Sequence, residues 1–224
     1  MEYEYLSVAI ASGRADVVPR WAARAMRDVA DGRRCLRAAV HPLGFTCLPV
    51  VREGHYGVCV HVWLPGQPRA KPTTSQVHAH SWDLVSYVLF GGLSNELPVV
   101  ADTEAAHPRA RRVLEVRSRG NTDDIVPTTR LVRCETGQTE LAVRDDVYTV
   151  KAGTFHSSVA HGGAATVALG VMMPGGTDLS LGDPGAGTHR VRRTRLGARP
   201  TQDIARQVAG DLSLRDQQRA DRGG

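Results

Sequence analysis

The sequence lacks three features that would place it among membrane, secreted or repeat proteins. No apolar run approaches the ~20 residues needed to cross a bilayer. The acidic start, Met-Glu-Tyr-Glu-Tyr, has neither the basic nor the apolar region of a signal peptide, and no internal repeat is visible. We therefore expect a cytoplasmic protein. Its 224 residues, 42% of them apolar, suffice for one larger all-β domain or for one domain with terminal extensions.

The cysteines also lack the spacing that is typical of a disulfide framework or of a redox motif. The four cysteines, Cys35, Cys47, Cys59 and Cys134, include no Cys-x-x-Cys pair. In a reducing compartment we expect free thiols rather than bridges. Cys47 and Cys59 fall in apparent strands and are predicted to be small buried hydrophobic residues.

The positive charge is unevenly distributed and comes almost wholly from arginine. The net charge is +5, and residues 190–195 read Arg-Val-Arg-Arg-Thr-Arg, whereas the chain has only the two lysines Lys71 and Lys151. Such a run can contact nucleic acid, but a solvated tail is the commoner outcome and no helix-turn-helix signature is visible. We expect neither a nucleic-acid partner nor a membrane partner.

Helical spacing of apolar residues is confined to the two ends of the chain. Residues 14–31 predict one amphipathic helix that packs outside a sheet. Residues 201–214 predict a short second helix, with Ile204, Val208 and Leu212 on one stripe. The residues after it are expected to be disordered.

Between the predicted helices the apolar pattern takes the period of strands. Residues 56–64 alternate, with Val58 and Val60 facing one way and Cys59 and His61 the other. Further strands are predicted at 45–51, 84–90, 111–117, 128–135, 139–143, 147–150, 156–160 and 166–173. Many short strands with few helices between them favour an antiparallel sandwich or barrel.

Three regions follow from these patterns. Residues 1–35 are predicted to be an N-terminal helical extension, residues 36–175 a barrel, and residues 176–224 a linker with a short helical or disordered tail. Within the barrel, residues 94–110 are predicted to be irregular with some helical content. Residues 176–198 are rich in Gly, Pro, Arg and Thr and predict a loop.

The stretch 76–83, Gln-Val-His-Ala-His-Ser-Trp-Asp, carries two histidines one residue apart in a strand-like setting. Because strand side chains alternate between faces, His78 and His80 point the same way and can converge on one metal ion. His156, at the end of Gly-Thr-Phe-His, can complete the site. An isolated histidine is more often a structural residue. That interpretation applies to His41, His55, His61, His107 and His189.

At these two motifs the sequence resembles the cupin superfamily. The family's first motif is His-x-His, then an acidic residue four or five positions on, then a glycine; here it runs from His78 and His80 to the glycines at 91–92. The second, Pro-x-Gly-x-x-His, reads Lys-Ala-Gly-Thr-Phe-His and ends at His156, with lysine in place of proline. The resemblance covers roughly residues 45–173. It implies a conical β-barrel of the double-stranded β-helix or jelly-roll type, with His78, His80 and His156 as metal ligands.

One departure from the family pattern bears on the chemistry. The acidic position falls on Leu84 or Val85, neither of which can bind a metal. Asp83 is adjacent, but strand parity puts it on the opposite face unless a bulge intervenes, whereas Ser86 has the parity to place a hydroxyl behind the ligands. The sequence therefore resembles the three-histidine cupins, which lack the carboxylate of the two-histidine, one-carboxylate triad. Thiol dioxygenases and diketone-cleaving dioxygenases are examples, and the first motif is also similar to small biosynthetic cupins of actinobacteria, including zinc-type domains that form N–N bonds.

A site of three neutral ligands favours an anionic, chelating substrate. A divalent ion there keeps its full charge and has up to three open positions. The predicted function is a mononuclear non-haem iron dioxygenase or oxidase, with iron(II) as cofactor and O₂ as co-substrate, acting on a small anionic or chelating metabolite in specialised biosynthesis.

Two alternative functions stay open, because imidazole also suits zinc(II). One is a zinc-type cupin that catalyses bond formation, elimination or isomerisation, including N–N bond formation. The other is a non-catalytic cupin that binds a ligand or a metal. Edge strands of such barrels often pair, so a homodimer is one option for the assembly.

Four residues are candidates for a role beside the metal. His161 is a candidate acid or base because it follows the second motif closely. Tyr87 is a candidate although its parity takes it off the metal face. Arg130 or Arg133 can pair with a carboxylate of the substrate.

Overall fold

Helices at both ends of the chain flank a strand-rich centre in the computed structural model, which describes residues 2–172 and 175–222. The helices are α1 (Glu2–Ala11), α2 (Val17–Ala30) and α3 (Ala198–Arg222). The strands are β1 (Ala39–Val40), β2 (Thr46–Glu53), β3 (Tyr56–Trp63), β4 (His78–Ala79), β5 (Leu84–Phe90), β6 (Gly92–Asp102), β7 (Ala110–Arg119), β8 (Thr122–Val143), β9 (Val147–Val150), β10 (Ser157–Ala160), β11 (Ala164–Val171), β12 (Asp178–Gly182), β13 (His189–Arg192) and β14 (Thr194–Arg195).

The strands form two antiparallel sheets, which confirms the predicted all-β class. The first sheet has the order β14-β1-β2-β3-β11-β5-β9, and the second has the order β10-β6-β8-β7-β12-β4, with β13 paired to β8. The chain passes from the first sheet to the second at Gly91, where φ is +77°. A Cβ at this position would collide with the carbonyl oxygen of Gly163, so only glycine fits the crossing. Of the two candidate glycines that close the first motif, Gly91 is the one that the backbone requires.

The largest apolar core lies between the first sheet and the helices, outside the barrel. Val58, Val60 and Val62 of β3 are almost fully buried there and pack with the buried faces of α2 and α3. Burial of an aliphatic side chain of this size contributes about 1.5–3 kcal/mol. The alternating residues Cys59 and His61 line a cavity between the two sheets. The predicted alternation is confirmed. Because the apolar face of β3 packs against the helices, the other face of the strand can carry polar side chains inside the barrel.

Both predicted helices are present, and the structure extends the second of them. α2 lies within the predicted range 14–31, and α3 begins before and ends after the predicted range 201–214. Ile204, Val208 and Leu212 are buried, as the stripe predicted. The residues after 214, expected to be disordered, continue α3 as far as Arg222, and residues 223–224 lie outside the described part of the chain. Among the described residues, no helix combines the length and the apolar character that a membrane crossing requires.

Residues 94–102 are extended and only residues 103–109 are irregular, so the prediction of an irregular, partly helical segment is wrong for most of its length. They supply most of β6 and the turn that leads into β7. The strand alternation is hidden because Pro98 interrupts it at a register shift between Leu97 and Val99. On the partner strand, Gly137 lies against the Leu97 carbonyl with no space for a Cβ. The strands predicted at 128–135 and 139–143 are likewise parts of one long strand, β8.

Residues 176–198 are also more ordered than predicted. Instead of forming a linker they supply β12, β13 and β14, which pair with β7 and β4, with β8 and with β1, respectively. Strands of two to five residues have too little alternation to be recognised in a sequence, and they form only because long-range partners satisfy their backbone groups. The last residues of the predicted strand 166–173 reach position 173, which lies outside the described residues.

Candidate metal centre

Backbone pairing brings the two histidine motifs together. His78 begins β4, and His156 lies immediately before β10. The two residues form an antiparallel bridge in which His78 N donates to His156 O at 2.9 Å and His156 N donates to His78 O at 2.8 Å. Gly153 N adds a third bond to His80 O at 2.8 Å. Segments more than seventy positions apart in sequence are therefore held in fixed register.

The three predicted ligand side chains converge. Each of His78, His80 and His156 offers a ring nitrogen, and these atoms all lie within 4.8 Å of one another. His78 Nδ1 is 2.9 Å from Gln76 O, and His156 Nδ1 is 3.1 Å from Thr154 O. Because a carbonyl oxygen only accepts, Nδ1 carries the proton in both rings, and Nε2 presents a free lone pair.

The spacing of these nitrogens suits a divalent transition-metal ion. His78 Nε2 and His80 Nε2 are 3.3 Å apart. Two nitrogens each about 2.1 Å from one ion have this separation when they subtend roughly 100° at the ion. Two neutral imidazoles with facing lone pairs repel each other unless a cation or a proton lies between them. The donor set therefore fits a bound metal.

Burial keeps the imidazoles of His78 and His156 neutral. It lowers the pKa of His156 from 6.5 to about 4, with a further contribution from the adjacent His80 ring. Burial, followed by the neighbouring rings, holds the pKa of His78 well below its ordinary value. Both rings are unprotonated at pH 7 and can bind a metal without releasing a proton.

A carboxylate lies behind His80, on the side away from the converging nitrogens. Asp178 Oδ2 is 3.7 Å from His80 Nδ1, too far for a hydrogen bond but close enough for electrostatic attraction. The other oxygen of Asp178, Oδ1, accepts from Ser81 N at 2.8 Å and from Ser81 Oγ at 2.9 Å. Burial raises the pKa of this carboxyl, but contacts with His80 and Ser81 outweigh burial, so the pKa lies below its ordinary value. Asp178 therefore remains ionised beside the His80 ring.

Sequence reasoning missed Asp178 because the residue lies in the segment predicted as a linker. No spacing relates it to the histidine motifs, and its contact with Ser81 spans 97 positions. The expectation of a site without a carboxylate ligand holds for the described residues, since the converging ligand atoms come from imidazoles alone.

Asp178→Asn should weaken metal binding about 10–100-fold, the usual effect of losing a carboxylate behind a histidine ligand. The amide oxygen can still accept from Ser81, so the fold should be retained. Competition against a chelator of known affinity measures the change. Asp183→Asn is the control, because that side chain is 88% exposed. Equal affinity of the Asp178→Asn and parent proteins would show that Asp178 has no influence on the metal.

The three histidines line a cavity of about 380 Å³ that lies between the two sheets. Trp82 covers one side: its ring stacks on His80 with centroids 4.5 Å apart, and it occupies the space that a Cβ at Gly170 would need. His41 and Phe45 stack at 4.3 Å. The remaining lining includes Trp63, Tyr148, Ser158, Arg52 and Arg193. A cavity of this size, lined by both aromatic and polar side chains, accommodates a small metabolite.

The four catalytic candidates proposed from sequence do not line this cavity. His161 is exposed, and its Nε2 is 2.6 Å from Ser94 Oγ. Tyr87 is buried in the core between sheet and helices, and its hydroxyl donates to Asp145 at 2.8 Å. Both lie on the outside of the barrel wall, so the structure removes them from the candidate site.

The predicted arginines are paired on the surface. Arg130 Nε is 2.7 Å from Asp102 Oδ1, and Arg133 Nε is 2.8 Å from Glu135 Oε1. The arginines that do line the cavity are Arg52 and Arg193. The sequence does not show that these two arginines face the cavity, because that depends on how the strands pair and on which side of the sheet the helices cover.

The two polar residues near the first motif also lie outside the cavity lining. Asp83 lies after a bend at residues 81–82 and accepts from Lys151 Nζ and from Ala152 N, both at 2.8 Å, so it does not join the histidines. Ser86 is buried and pairs with Tyr148 across β5 and β9. The lysine that replaces the motif's proline thus has its own ionic partner.

Comparisons with known proteins found solved structures but no similar sequence. No protein-family model matches the sequence, and no curated protein is significantly similar to it. Similar solved structures include a cupin superfamily protein from Desulfitobacterium hafniense, with 9% identity, a TM-score of 0.32 and coverage of 57% of this chain and 76% of that one. They also include hydroxypropylphosphonic acid epoxidase from S. wedmorenis, with 14% identity, a TM-score of 0.34 and coverage of 59% and 54%. A third is the FeII form of HppE, with 15% identity, a TM-score of 0.31 and coverage of 57% and 50%.

The matched region spans about half the length of the latter two proteins. The described part of the chain has two antiparallel sheets, two histidine motifs in order along the sequence, and three imidazoles that converge between the sheets. These features agree with the all-β fold and the three-histidine site that the resemblance to the cupin superfamily implies.

Proposed function

We propose that this protein is a mononuclear metal enzyme, an iron(II)-dependent dioxygenase or oxidase of a small anionic or chelating metabolite. The observation that carries the proposal is the convergence of three imidazole nitrogens, without a carboxylate ligand among the described residues, at the wall of a cavity of about 380 Å³. Iron is chosen over zinc because the sequence resembles the three-histidine cupins, which include thiol and diketone dioxygenases. The donor atoms themselves suit either metal.

The charge of the site favours an anionic ligand. Three neutral donors leave the +2 charge of a bound ion uncompensated, and Asp178 lies behind His80 rather than among the donors. A carboxylate, thiolate or enolate that enters the cavity thus meets a net positive centre in a partly desolvated space, where electrostatic attraction is stronger than in water.

The chain's own residues position and shield the substrate. Trp82 and Trp63 form apolar walls that exclude water from part of the cavity, while Ser158 and Arg193 offer polar contacts there. Arg193 is itself fixed by Asp123, with Nη2 2.6 Å from Oδ1, so it can present its remaining donors in a fixed direction. When bound, iron(II) would supply one-electron chemistry toward O₂, and zinc(II) would supply Lewis acidity.

Oxygen uptake by metal-reconstituted protein tests the proposal. Protein purified without a histidine tag is stripped of metal, loaded with iron(II) or zinc(II) under anaerobic conditions, and mixed with O₂ and a panel of thiols, amino acids and diketones. We expect O₂ consumption by the iron form with at least one of these substrate classes, and none by the zinc form.

The control is Arg130→Gln, which changes an exposed ion pair outside the cavity and should leave the uptake rate unchanged. Iron-loaded protein that consumes no O₂ with any member of the panel would contradict the proposal. Product formation by the zinc form without O₂ would instead establish the redox-inert alternative.

A further inference from the structure

A second cluster of reactive side chains faces the same cavity as the histidines. Cys47 on β2 pairs with His61 on β3, and Cys59 lies two residues before His61 on the same face. The two sulfurs are 3.0 Å apart, and the Sγ and ring-nitrogen atoms of the three residues lie within 4.8 Å of one another. All three residues line the cavity, so a small molecule that enters can reach them.

An arginine lies beside one of the two sulfurs. Arg52 Nη2 is 3.0 Å from Cys59 Sγ, and Arg52 Nη1 donates to Val51 O at 2.9 Å. The residue opposite Arg52 in the strand register is Gly57, where an added Cβ would be 2.8 Å from Arg52 Nη1. The absence of a side chain at Gly57 thus gives the guanidinium the space to lie across β3 next to Cys59.

The surroundings of the two cysteines shift their pKa values in opposite directions. The Cys47 S–H donates to Cys59; this bond, with His61 and Arg52, lowers the pKa of Cys59 well below its ordinary value despite the opposing effect of burial. The same bond, together with burial, raises the pKa of Cys47. The hydrogen bond from Cys47 and the Arg52 guanidinium therefore favour the thiolate at Cys59 over the thiolate at Cys47, the arrangement that makes paired cysteines reactive.

We propose that Cys47 and Cys59 are a redox-active dithiol that reduces a hydroperoxide admitted to the cavity. The Cys59 thiolate attacks one oxygen of ROOH: an S–O bond forms, the O–O bond breaks, and the departing alkoxide takes a proton to leave as ROH. Cys47 then attacks the Cys59 sulfenic acid, forming the S–S bond and releasing water. Two thiols and one hydroperoxide yield one disulfide, one alcohol and one water. This activity goes beyond the proposed function and does not depend on it.

The geometry favours a dithiol over a second metal site. Two thiolates bound to one zinc ion at about 2.3 Å in tetrahedral geometry lie roughly 3.8 Å apart, whereas the sulfurs here are 3.0 Å apart. The Arg52 guanidinium also places a positive charge where a metal cation would bind. A disulfide, in contrast, requires the sulfurs to approach by only about 1 Å.

Thiol counting on the full chain tests this proposal. Fully reduced, metal-free protein is treated with one equivalent of hydrogen peroxide, and its thiols are titrated after denaturation. We expect two of the four thiols to disappear, with a peptide map that links Cys47 to Cys59. The Cys35→Ser and Cys134→Ser variants should form the same link, because neither residue belongs to the cluster.

Three variants separate a reactive pair from two buried thiols. In Cys47→Ser, the reaction should stop at a Cys59 sulfenic acid that a dimedone-type probe traps. In Cys59→Ser, Cys47 should remain a thiol. Arg52→Met, which keeps an unbranched apolar stem, should slow the peroxide reaction at pH 7 about 10-fold or more and move its pH profile to higher pH, because each unit of pKa changes the thiolate fraction 10-fold.

Two outcomes would overturn the proposal. The first is the survival of all four thiols, or oxidation without a link between Cys47 and Cys59. The second is that a variant lacking His78, His80 and His156 binds zinc(II) tightly and loses that binding with Cys47→Ser, which would assign the cluster to a metal. Because peroxide reduction is measured on metal-free protein, its failure is distinguishable from the failure of the iron enzyme.

Discussion

Replacing His156 with alanine should leave the purified protein without its metal. The side chain is 1% exposed, and its ring nitrogen is one of the three converging donors. Loss of a partner behind a ligand already weakens metal binding about 10–100-fold, so we expect loss of a ligand itself to exceed 100-fold. Alanine at His78 or His80 should have the same effect. Metal content per chain after tag-free purification, followed by chelator competition, measures the loss.

Asp83→Ala is the matched control for the ligand variants. Asp83 also lies next to the first motif, but its carboxylate is bound to Lys151 and to the backbone of Ala152. Its removal should leave the metal content unchanged. Circular dichroism of each variant separates loss of the site from loss of the fold. Retention of the metal by folded His156→Ala protein would remove His156 from the ligand set.

The metal-free protein should lose stability as the pH falls from about 6.5 to 4. In the unfolded chain His156 takes up a proton near pH 6.5, whereas in the folded chain burial and the adjacent His80 ring delay this until about pH 4. In that window the unfolded state binds more protons, so acidification favours unfolding. The stability is therefore complete above pH 6.5 and is lost progressively down to pH 4. A pKa difference of this size corresponds to about 3 kcal/mol, and the lowered pKa of His78 acts in the same direction.

Urea unfolding at several pH values between 7 and 4 measures this effect. His156→Gln, which cannot be protonated, should show a shallower dependence of the free energy of unfolding on pH than the parent. His55→Gln is the control, because His55 is exposed. Carboxylates titrate in both proteins, so the difference between the slopes isolates His156. Parallel slopes would show that His156 is not held neutral by the fold.

The sequence by itself determined the local features that depend on period and spacing. Alternation along β3 separated the valines that face the helices from Cys59 and His61, which face the cavity. Two histidines separated by one residue can converge wherever the backbone is extended, as the spacing predicted for His78 and His80. Asp83 lies after a bend and outside any strand, and it pairs with Lys151 rather than joining the histidines. The alternation and the histidine spacing are decided within a few residues, so a sequence contains all the information they need.

Only the tertiary structure decided which distant residues meet and which strand faces are enclosed. Asp178 reaches Ser81 across 97 positions because short, pattern-free β12 pairs with β4. Tyr87, a catalytic candidate in the sequence, is buried instead because helices cover that face of β5. Cys47 and Cys59, predicted as inert packing, face the cavity beside Arg52. Strand pairing and helix docking are long-range choices that minimise exposed backbone and apolar surface over the whole chain, and no local pattern records them.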